Sequence, residues 1–500
     1  MECAVADITL VNMNMLYVRY YDQVEREYHV PLGTLYLTRV LEDAKLDVDF
    51  RDYQMNEYDN PFLAESICDF LDQSARLVGV SVMANLLPFT LYALREFKKR
   101  NPEKVVVLGG VGPASVERKI LERFPWIDAV SSGEGERMII PLVEAVKHGD
   151  GFANVPNVFW RREDGEIVGN PQAPRISDLD TIPFPAWDRV DLSKYEGYGV
   201  MTSRGCPYPC TFCSVAPIWG RRACHRSHAN IIAEMAELNR RAGVDLFLFQ
   251  DEFFVSAPDN VVGFCDELER SKLGLDWKAF GRVNLSEGMM MKRMAETGCI
   301  ELRFGIESGS DAVLERTRKG FSSEAAVSIV SEAVGLFDRV DAFYVWGFPF
   351  ETMDDFYQSV FQMISFRMLG ARVLPSLLCF LPQTDIYKEH ADEGRALEFC
   401  PELFPEYILT GHEICRSAKV ELDPVYAPLY EFITASPDIF PGFFHYDLEG
   451  NVLPKLRVMQ EMGFYPLDAE DVDASDSCGA HSPRVAQATT AKAQLSVHGD

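Results

Sequence analysis

Residues 202–217 read TSRGCPYPCTFCSVAP and carry three cysteines, Cys206, Cys210 and Cys213, in the spacing C-x₃-C-x₂-C. The stretch follows a predicted strand, so the thiols lie where that strand ends. Three thiolates from one loop can hold three irons of a [4Fe–4S] cube, whereas four-cysteine ligation saturates such a cluster. Three ligands therefore leave one iron open for a substrate or a second cofactor, as catalytic zinc sites keep one position open.

Other interpretations of the three thiols stay open at this point. A zinc ion could take a fourth ligand from Cys224 or His225, or the thiols could be unrelated and buried. A disulfide staple is disfavoured, because the 12 cysteines form no regular framework. The start of the chain, MECAVADITLVNMN, also lacks the basic region and the long apolar run of a signal peptide. We therefore expect a reducing, cytoplasmic environment.

The composition limits the class of function. A chain of 500 residues suggests roughly two to four domains, and 47% apolar residues supply large cores. The net charge of −28 argues against a nucleic-acid-binding surface, and no apolar stretch reaches the length of a membrane span. We expect a soluble enzyme that acts on a small molecule and binds neither nucleic acid nor a membrane.

Two parts of the chain show alternating strand and helix patterns. Residues 1–146 contain apolar strand patterns such as LVGVSVM (77–83) separated by amphipathic helix patterns such as PFTLYALREFKKRN (88–101). This alternation predicts an α/β, doubly wound, Rossmann-like domain with a parallel sheet. Residues 196–399 contain six further strand–helix units, which predict a partial (β/α)6 TIM-like barrel with its chemistry at the carboxyl ends of the strands.

The remaining segments differ in composition. Residues 147–195 are rich in Pro, Gly, Asp and Arg, and are predicted to form a small hairpin, NVFWRREDGEIVGN, followed by an extended linker. Residues 400–468 are predicted to form a small, α-rich C-terminal region. Residues 469–500 have mainly small and polar side chains, and we expect them to form a disordered tail.

The stretches around the predicted barrel resemble the radical S-adenosylmethionine (SAM) superfamily. The resemblance implies that the three cysteines bind the cube and that SAM chelates its open iron, to be split by one electron into a 5′-deoxyadenosyl radical. It further implies SAM contacts from FQDEFFV, AFGRV, RFGIESGS and the turn in VWGFPFET, as well as from the aromatic residue inside the cysteine motif. The residues implied are Phe212, Asp251, Glu252, Arg282, Glu307, Ser308 and Gly347.

The N-terminal half resembles the cobalamin-binding domain of the B12-binding radical SAM family. The resemblance rests on PLGTLYLTRVL, VGVSVMANL, VVVLGGVGPAS and SGEGE, and on the linker DLDTIPFPAWDRVDLSKY. Ligands of open parallel sheets lie beyond the carboxyl ends of the strands, and glycines there let the backbone approach a bulky group. The residues implied are Ser81, Gly109, Gly110, Gly133 and Glu134. The alternative is a flavodoxin-like domain that binds no ligand, or an interaction module.

The loop after the first strand lacks the motif Asp-x-His-x-x-Gly, so we expect no histidine–cobalt bond. His29 lies late in that loop, and we expect a surface residue. The resemblance implies a cobalamin-dependent enzyme that methylates an unactivated carbon or phosphorus, with a flavodoxin or ferredoxin as electron donor. A cyclisation or rearrangement without methyl transfer, or a non-catalytic metal-binding protein, remains an alternative. A methylthiotransferase is disfavoured, because residues 1–150 offer only Cys3 and Cys68 for a second cluster.

The substrate is not indicated by the sequence. Four aromatic or imidazole residues of the C-terminal region could line a substrate pocket, although packing in the core is the simpler interpretation. They are Tyr407, His412, Tyr426 and His445.

Overall fold

The computed structural model describes residues 6–20, 23–251, 253–393, 397–399 and 424–465, within the compact unit Met1–Pro466. The first 170 residues supply nine strands and five helices. The strands are β1 (Ile8–Asn12), β2 (Leu16–Tyr20), β3 (Gln23–Glu27), β4 (Val48–Asp52), β5 (Leu77–Ser81), β6 (Val105–Gly109), β7 (Ala129–Ser131), β8 (Val158–Arg161) and β9 (Ile167–Gly169). The helices are α1 (Leu32–Asp43), α2 (Ala64–Phe70), α3 (Leu87–Arg100), α4 (Glu117–Arg123) and α5 (Ile139–His148).

The first sheet has seven strands in the order β4-β1-β5-β6-β7-β8-β9, and its first five strands are parallel. Counted along the chain, these five have the order 2-1-3-4-5 of doubly wound, flavodoxin-like domains. The direction of winding changes between β1 and β5, and sheets of this kind bind their ligands at the carboxyl ends of the strands that flank such a change. The prediction of a Rossmann-like N-terminal sheet is confirmed.

Two antiparallel hairpins modify this domain. The predicted hairpin is present as β8 and β9, and β8 pairs with β7, so it extends the first sheet instead of standing apart in a linker. The second hairpin, β2 with β3, occupies the loop after β1 and was not predicted. The limits of the domains stay a prediction.

The second sheet has six parallel strands in the order β10-β13-β14-β15-β16-β17, with helices in the connections. The strands of this half are β10 (Gly199–Val200), β11 (Ser203–Arg204), β12 (Cys224–His225), β13 (Leu246–Phe249), β14 (Asp276–Gly281), β15 (Cys299–Glu307), β16 (Arg339–Trp346) and β17 (Arg372–Leu377). The helices are α6 (Val215–Trp219), α7 (His228–Ala242), α8 (Pro258–Ser271), α9 (Gly288–Glu296), α10 (Asp311–Arg316), α11 (Ser323–Val334), α12 (Met353–Leu369) and α13 (Asp385–Asp392).

The first strand of this sheet is shorter than the pattern GYGVMTSR predicts. Only Gly199 and Val200 pair with β13, and the chain then leaves the sheet. Ser203 and Arg204 form β11, which pairs antiparallel with β12. The cysteine loop is therefore carried by a two-stranded ribbon at the edge of the sheet.

The described C-terminal residues add β18 (Glu398–Phe399), β19 (Phe444–His445), α14 (Ala427–Thr434) and α15 (Leu453–Glu461). One continuous buried cluster runs from Val11 in β1 to Tyr465 after α15, so both halves share a core. Among the described residues, no helix has both the length and the apolar character needed to cross a membrane. The predicted tail, residues 469–500, lies outside the described residues.

Candidate functional site

The three cysteines of the loop 206–213 are all partly exposed. The backbone N–H of Cys213 donates to the carbonyl of Cys210 at 3.3 Å, which curls the loop. Phe212 meets the ring of Phe348 edge-on, with the ring centroids 5.8 Å apart. Phe212 therefore anchors the loop on the core, and the Cys213 thiol beside it is the one that burial affects.

Cationic side chains lie against the loop. Arg282 Nη1 is 3.7 Å from Cys210 Sγ, and its guanidinium carbon lies 3.7 Å from the ring centroid of Tyr208. Lys319 is buried and pairs with Glu307 at 2.9 Å. Burial raises the pKa of the Cys213 thiol to about 12, so a metal must displace its proton at neutral pH.

Asp251 holds the strand that leads into the loop. Its carboxylate accepts hydrogen bonds from the N–H of Thr202 (2.7 Å), the hydroxyl of Thr202 (2.7 Å) and the hydroxyl of Ser203 (2.6 Å). Burial raises its pKa, and the hydroxyls and N–H oppose that rise. These contacts support the backbone before the cysteines. Its neighbour in the sequence prediction, Glu252, lies outside the described residues.

Two further predicted residues lie at the carboxyl end of β15, where Glu307 is the last residue of the strand and Ser308 follows it. Glu307 is buried and has φ +70°, an uncommon conformation for a residue other than glycine. Strained backbone of this kind concentrates at functional sites. Ser308 is fully buried, and its hydroxyl pairs with that of Ser359 in α12 at 2.9 Å. Ser308 therefore ties the loop to α12, and its hydroxyl faces the core.

Gly347 begins the turn after β16 with φ +84°. Its N–H donates to Glu351 at 2.9 Å, and its carbonyl accepts from the side chain of Asn451 at 3.3 Å. Lys455 donates to the Glu351 carboxylate at 2.8 Å, and both side chains are buried. Residues of the C-terminal region thus hold this turn, although the sequence pattern gives no sign of it.

The predicted residues of the first sheet lie at its carboxyl edge. Ser81 ends β5 and Gly109 ends β6. A Cβ on Gly110, which has φ +85°, would lie 2.8 Å from the carbonyl oxygen of Val82 and 3.0 Å from Ser81 Oγ. The neighbouring loop of the protein, and not a ligand, is therefore what requires glycine at 110. Gly133 also has a positive φ, of 92°.

Glu134 has a different environment from the one expected of a cofactor ligand. Its two carboxylate oxygens accept from the N–H of Ile176 (2.6 Å) and from Arg204 Nη1 (3.1 Å). Glu136 also pairs with Arg204. Because Arg204 lies just before Cys206, the turn after β7 contacts the base of the cysteine loop. In this structure the Glu134 side chain binds the protein itself.

Local packing also describes the surroundings of Cys224 and of His29. Cys224 packs in an apolar cluster with Tyr36 and Ile182, opposite Arg204 in the ribbon. Among the described residues, no group of three or more His, Cys, Asp or Glu side chains is arranged as ligands of a single metal ion. His29 is not a plain surface residue: it is half-buried, contacts Glu27 at 3.0 Å and packs on Gly197.

The four candidates for a substrate pocket have separate outcomes. His445 is fully buried against Phe380, with ring centroids 5.4 Å apart. The hydroxyl oxygen of Tyr426 accepts a hydrogen bond from Asn60 Nδ2 at 2.8 Å, and its ring packs on Phe89. Tyr407 and His412 lie outside the described residues.

Sequence reasoning missed Arg204, Glu136 and Lys319. The sequence shows an arginine before the cysteine motif and two glutamates in SGEGE. However, 70 residues separate Glu134 from Arg204, and no local pattern predicts that the two side chains are in contact. The burial of Lys319 could not be predicted, because a lysine in a polar stretch is ordinarily exposed.

The first domain is doubly wound, and the six-stranded parallel sheet after it has three thiols beside its first strand. This arrangement defines an iron–sulfur enzyme of the radical SAM class with an added cofactor-binding domain. Residues 24–142 match the B12 binding domain family, and residues 200–363 match the Radical SAM superfamily. The chain therefore belongs to the B12-binding radical SAM family.

Curated relatives agree with this membership. The chain is 29% identical over 331 residues to the uncharacterized methyltransferase PH0819 of Pyrococcus horikoshii, a match that covers 65% of this chain and 71% of that protein. It is 27% identical over 354 residues to the anaerobic magnesium-protoporphyrin IX monomethyl ester cyclase of Synechocystis sp., covering 68% of this chain and 69% of the relative.

A solved structure shares the fold. The radical SAM methyltransferase TsrM from Kitasatospora setae, determined with cobalamin and a [4Fe–4S] cluster bound, superposes with a TM-score of 0.62 at 20% identity. The superposition covers 79% of this chain and 78% of that one.

The residues present fit the groups that the two domains imply, a [4Fe–4S] cluster with SAM and cobalamin. Three thiols outside the core and the guanidinium of Arg282 suit an anionic cluster. At the carboxyl edge of the first sheet, Met83 is 48% exposed and Val111 is 36% exposed. Exposed apolar side chains at a ligand crevice suit the face of a corrin.

Proposed function

We propose that this enzyme methylates an unactivated carbon or phosphorus of a small-molecule substrate. The observation that carries the proposal is the contact between the turn after β7 and the base of the cysteine loop. It brings the cobalamin-binding domain and the radical SAM sheet together at their carboxyl edges. A relative that matches 65% of this chain is named as an uncharacterized methyltransferase, which supports the proposal.

Each cofactor would be held by a separate set of residues. Cys206, Cys210 and Cys213 would ligate the cluster, and Arg282 and Glu307 would lie against SAM. The carboxyl edge of the first sheet, at Ser81, Gly109 and Gly110, would hold cobalamin. When bound, the cluster with SAM supplies one-electron chemistry that abstracts a hydrogen, and cobalamin supplies a methyl carrier.

The protein's own residues perform the positioning. Asp251 fixes residues 202 and 203, so the loop begins from a rigid base. Arg282 supports the loop from the other side through Cys210 and Tyr208. The Nη2 of Arg282 donates to the carbonyl of Lys319, and its buried Nε is without a hydrogen-bond partner among the described residues, so one N–H donor is left for a carboxylate and not the two of a bidentate pair.

The enzyme needs a source of electrons, and we propose a flavodoxin or ferredoxin. The net charge of −28 makes association with an acidic donor sensitive to ionic strength, because salt screens repulsion between surfaces of like charge.

A second function is cyclisation or rearrangement without methyl transfer. The similarity to a magnesium-protoporphyrin IX monomethyl ester cyclase supports it. Both functions use the same cofactors, so the site residues do not separate them.

Product analysis separates the two functions. The reconstituted enzyme is incubated anaerobically with SAM, a reductant and candidate substrates. S-adenosylhomocysteine together with 5′-deoxyadenosine indicates methylation, whereas 5′-deoxyadenosine alone indicates rearrangement. If neither product forms under strong reduction, both proposals are wrong and a non-catalytic protein is favoured.

The cluster itself is tested by substitution. Cys210→Ala is expected to lose iron, sulfide and SAM cleavage, because a ligand is removed. Cys265→Ala is the matched control, since Cys265 is buried in α8, and it should retain all three. Full iron content in Cys210→Ala would contradict the assignment.

A further inference from the structure

Arg204 lies two residues before Cys206 and reaches across to the cobalamin-binding domain. Its guanidinium donates to Glu134 at 3.1 Å and to Glu136 at 3.3 Å through Nη1, and Nη2 also pairs with Glu136. Its guanidinium carbon lies 5.1 Å from the ring centroid of Trp219 in α6. One side chain therefore joins the turn after β7, the ribbon that carries the cysteines and the helix that follows them.

The three charged side chains are nearly out of contact with water. Their exposed fractions are 7% for Arg204, 7% for Glu134 and 10% for Glu136. A buried ion pair of this kind is costly to desolvate and adds little net stability, but it specifies geometry, because each partner has only one favourable arrangement. The planar fork of arginine adds directional constraint that a lysine does not have.

The backbone between Arg204 and Cys206 is closely packed. Arg175 donates to the carbonyl of Arg204 at 2.6 Å. Gly205 has φ +88°, and a Cβ there would lie 2.8 Å from Arg175 Nη2 and 2.8 Å from the carbonyl oxygen of Arg222. The short segment that joins Arg204 to Cys206 is therefore packed against Arg175 and the chain at Arg222.

The carboxylates themselves are held in place by other parts of the first domain. Asn157, which is buried, donates to the carbonyl of Glu134 at 3.1 Å. The N–H of Ile176 donates to the second oxygen of Glu134 at 2.6 Å. The position of the turn thus depends on β7, on the hairpin that follows it and on the linker.

We propose that Glu134 and Glu136 are positioning residues of the iron–sulfur site. Through Arg204 they set the orientation of Cys206, so that the way SAM meets the cluster depends on the cobalamin-binding domain. The inference rests on the proposed function, in that Cys206 holds the cluster. It assigns the turn SGEGE to alignment of the two domains and not to cobalamin contact.

The test uses the full-length enzyme, reconstituted anaerobically, as wild type, Glu134→Gln, Glu136→Gln and Arg204→Lys. Iron and sulfide content, far-UV circular dichroism, the electron paramagnetic resonance spectrum of the reduced cluster with and without SAM, and the rate of SAM cleavage are measured. We expect normal iron content and circular dichroism in the single variants, an altered spectral response to SAM, and a rate lower by about 10- to 100-fold, because a displacement of about 1 Å costs up to about 100-fold.

Asp438→Asn is the matched control. Asp438 pairs with Lys119 at 3.3 Å and with Arg123 at 2.7 Å, and so also links the first domain to the rest of the chain, but these side chains are exposed and lie on a different segment from the cysteine loop. We expect its spectrum and rate to equal those of the wild type.

Three results overturn the proposal. A wild-type spectrum and rate in Glu134→Gln, Glu136→Gln and Arg204→Lys would show that the side chains do not position the site. Loss of the bound iron together with loss of the far-UV circular dichroism signal would show that these side chains only maintain the fold. An equal defect in Asp438→Asn would show a general effect of domain contacts. Wild-type enzyme without a SAM-responsive cluster would instead overturn the proposed function itself.

Discussion

The carboxylates of Asp251 and Glu134 are both bound by backbone and side-chain donors of neighbouring loops. Asp251 receives all three of its hydrogen bonds from residues 202 and 203. Glu134 binds a linker N–H and an arginine. A buried carboxylate requires several donors close by, and the nearest donors are those of adjacent loops. Acidic residues at strand ends in this protein therefore align loops as well as offering contacts to cofactors.

His445 should make the protein sensitive to mild acid. Burial lowers its pKa to about 4, and the charges of Lys455 and His390 add to the effect. The unfolded chain takes up that proton near pH 6.5, so stability is full above about pH 6.5 and falls as pH decreases toward about 4. The loss reaches about 3 kcal/mol.

Urea unfolding at about pH 7 and about pH 5 checks this expectation. His445→Phe should lose less stability between the two conditions than the wild type. His148→Ala, at an exposed position in α5, should behave as the wild type does. An unchanged pH dependence in His445→Phe would contradict the assignment.

A substitution at Met83 tests where cobalamin binds. Met83→Glu places a charge on the apolar surface that a corrin would cover, and we expect binding of hydroxocobalamin to weaken by about 10- to 100-fold. Met83 is 48% exposed, so the thermal midpoint of the free protein should change little. Met289→Glu, at an 87% exposed position in α9, is the control. Equal affinities of both variants, measured by absorbance titration, would place cobalamin elsewhere.

At the scale of elements, the turn after β16 depends on α15. Lys455 contacts the carboxylate and the carbonyl of Glu351 at 2.8 and 2.9 Å, and Asn451 reaches Gly347. The C-terminal helix is therefore part of the structure that positions the turn. A helix more than 100 residues away in the chain decides how a Gly-Phe-Pro turn is presented.

Lys455→Met should destabilise the protein by about 3–5 kcal/mol, because it leaves the Glu351 carboxylate buried and unpaired. Lys455→Met combined with Glu351→Gln should recover much of that loss, since both charges are then gone. Denaturant unfolding gives the two values. If the double variant is no more stable than the single one, the ion pair is not the source of the effect.

At the scale of the whole molecule, the two halves share one buried core. Phe124, at the end of α4, stacks on Phe432 in α14 with ring centroids 5.1 Å apart, and lies 6.3 Å from Phe440. Phe89 in α3 meets Tyr426 at 6.5 Å. Because the same apolar cluster continues into the second sheet, unfolding either half exposes the core of the other.

The apoprotein should therefore unfold in a single calorimetric transition. Phe124→Ala should lower the stability by about 3–5 kcal/mol and shift the whole transition, because the ring is buried between the halves. Two resolved transitions, of which Phe124→Ala moves only one, would show that the halves unfold independently.

The two parallel sheets and the group of three thiols could be predicted from the amino-acid pattern alone. Strands and helices differ in the period of their apolar residues, and this period is local, so patterns such as KVVVLGG could be assigned without any contact. The spacing of Cys206, Cys210 and Cys213 is local too, and it indicated a cluster with an open iron.

How the loops at the strand ends are held could not be predicted, because it depends on contacts that form when the chain packs. The first strand of the second sheet ends at Val200, the turn at Gly347 is held by Asn451 and by Lys455 of α15, and Glu134 contacts Arg204 although 70 residues separate them. Each of these depends on which donor lies nearest in space to a buried charge or carbonyl. That nearness is a property of the packed sheets, and no periodicity within the chain encodes it.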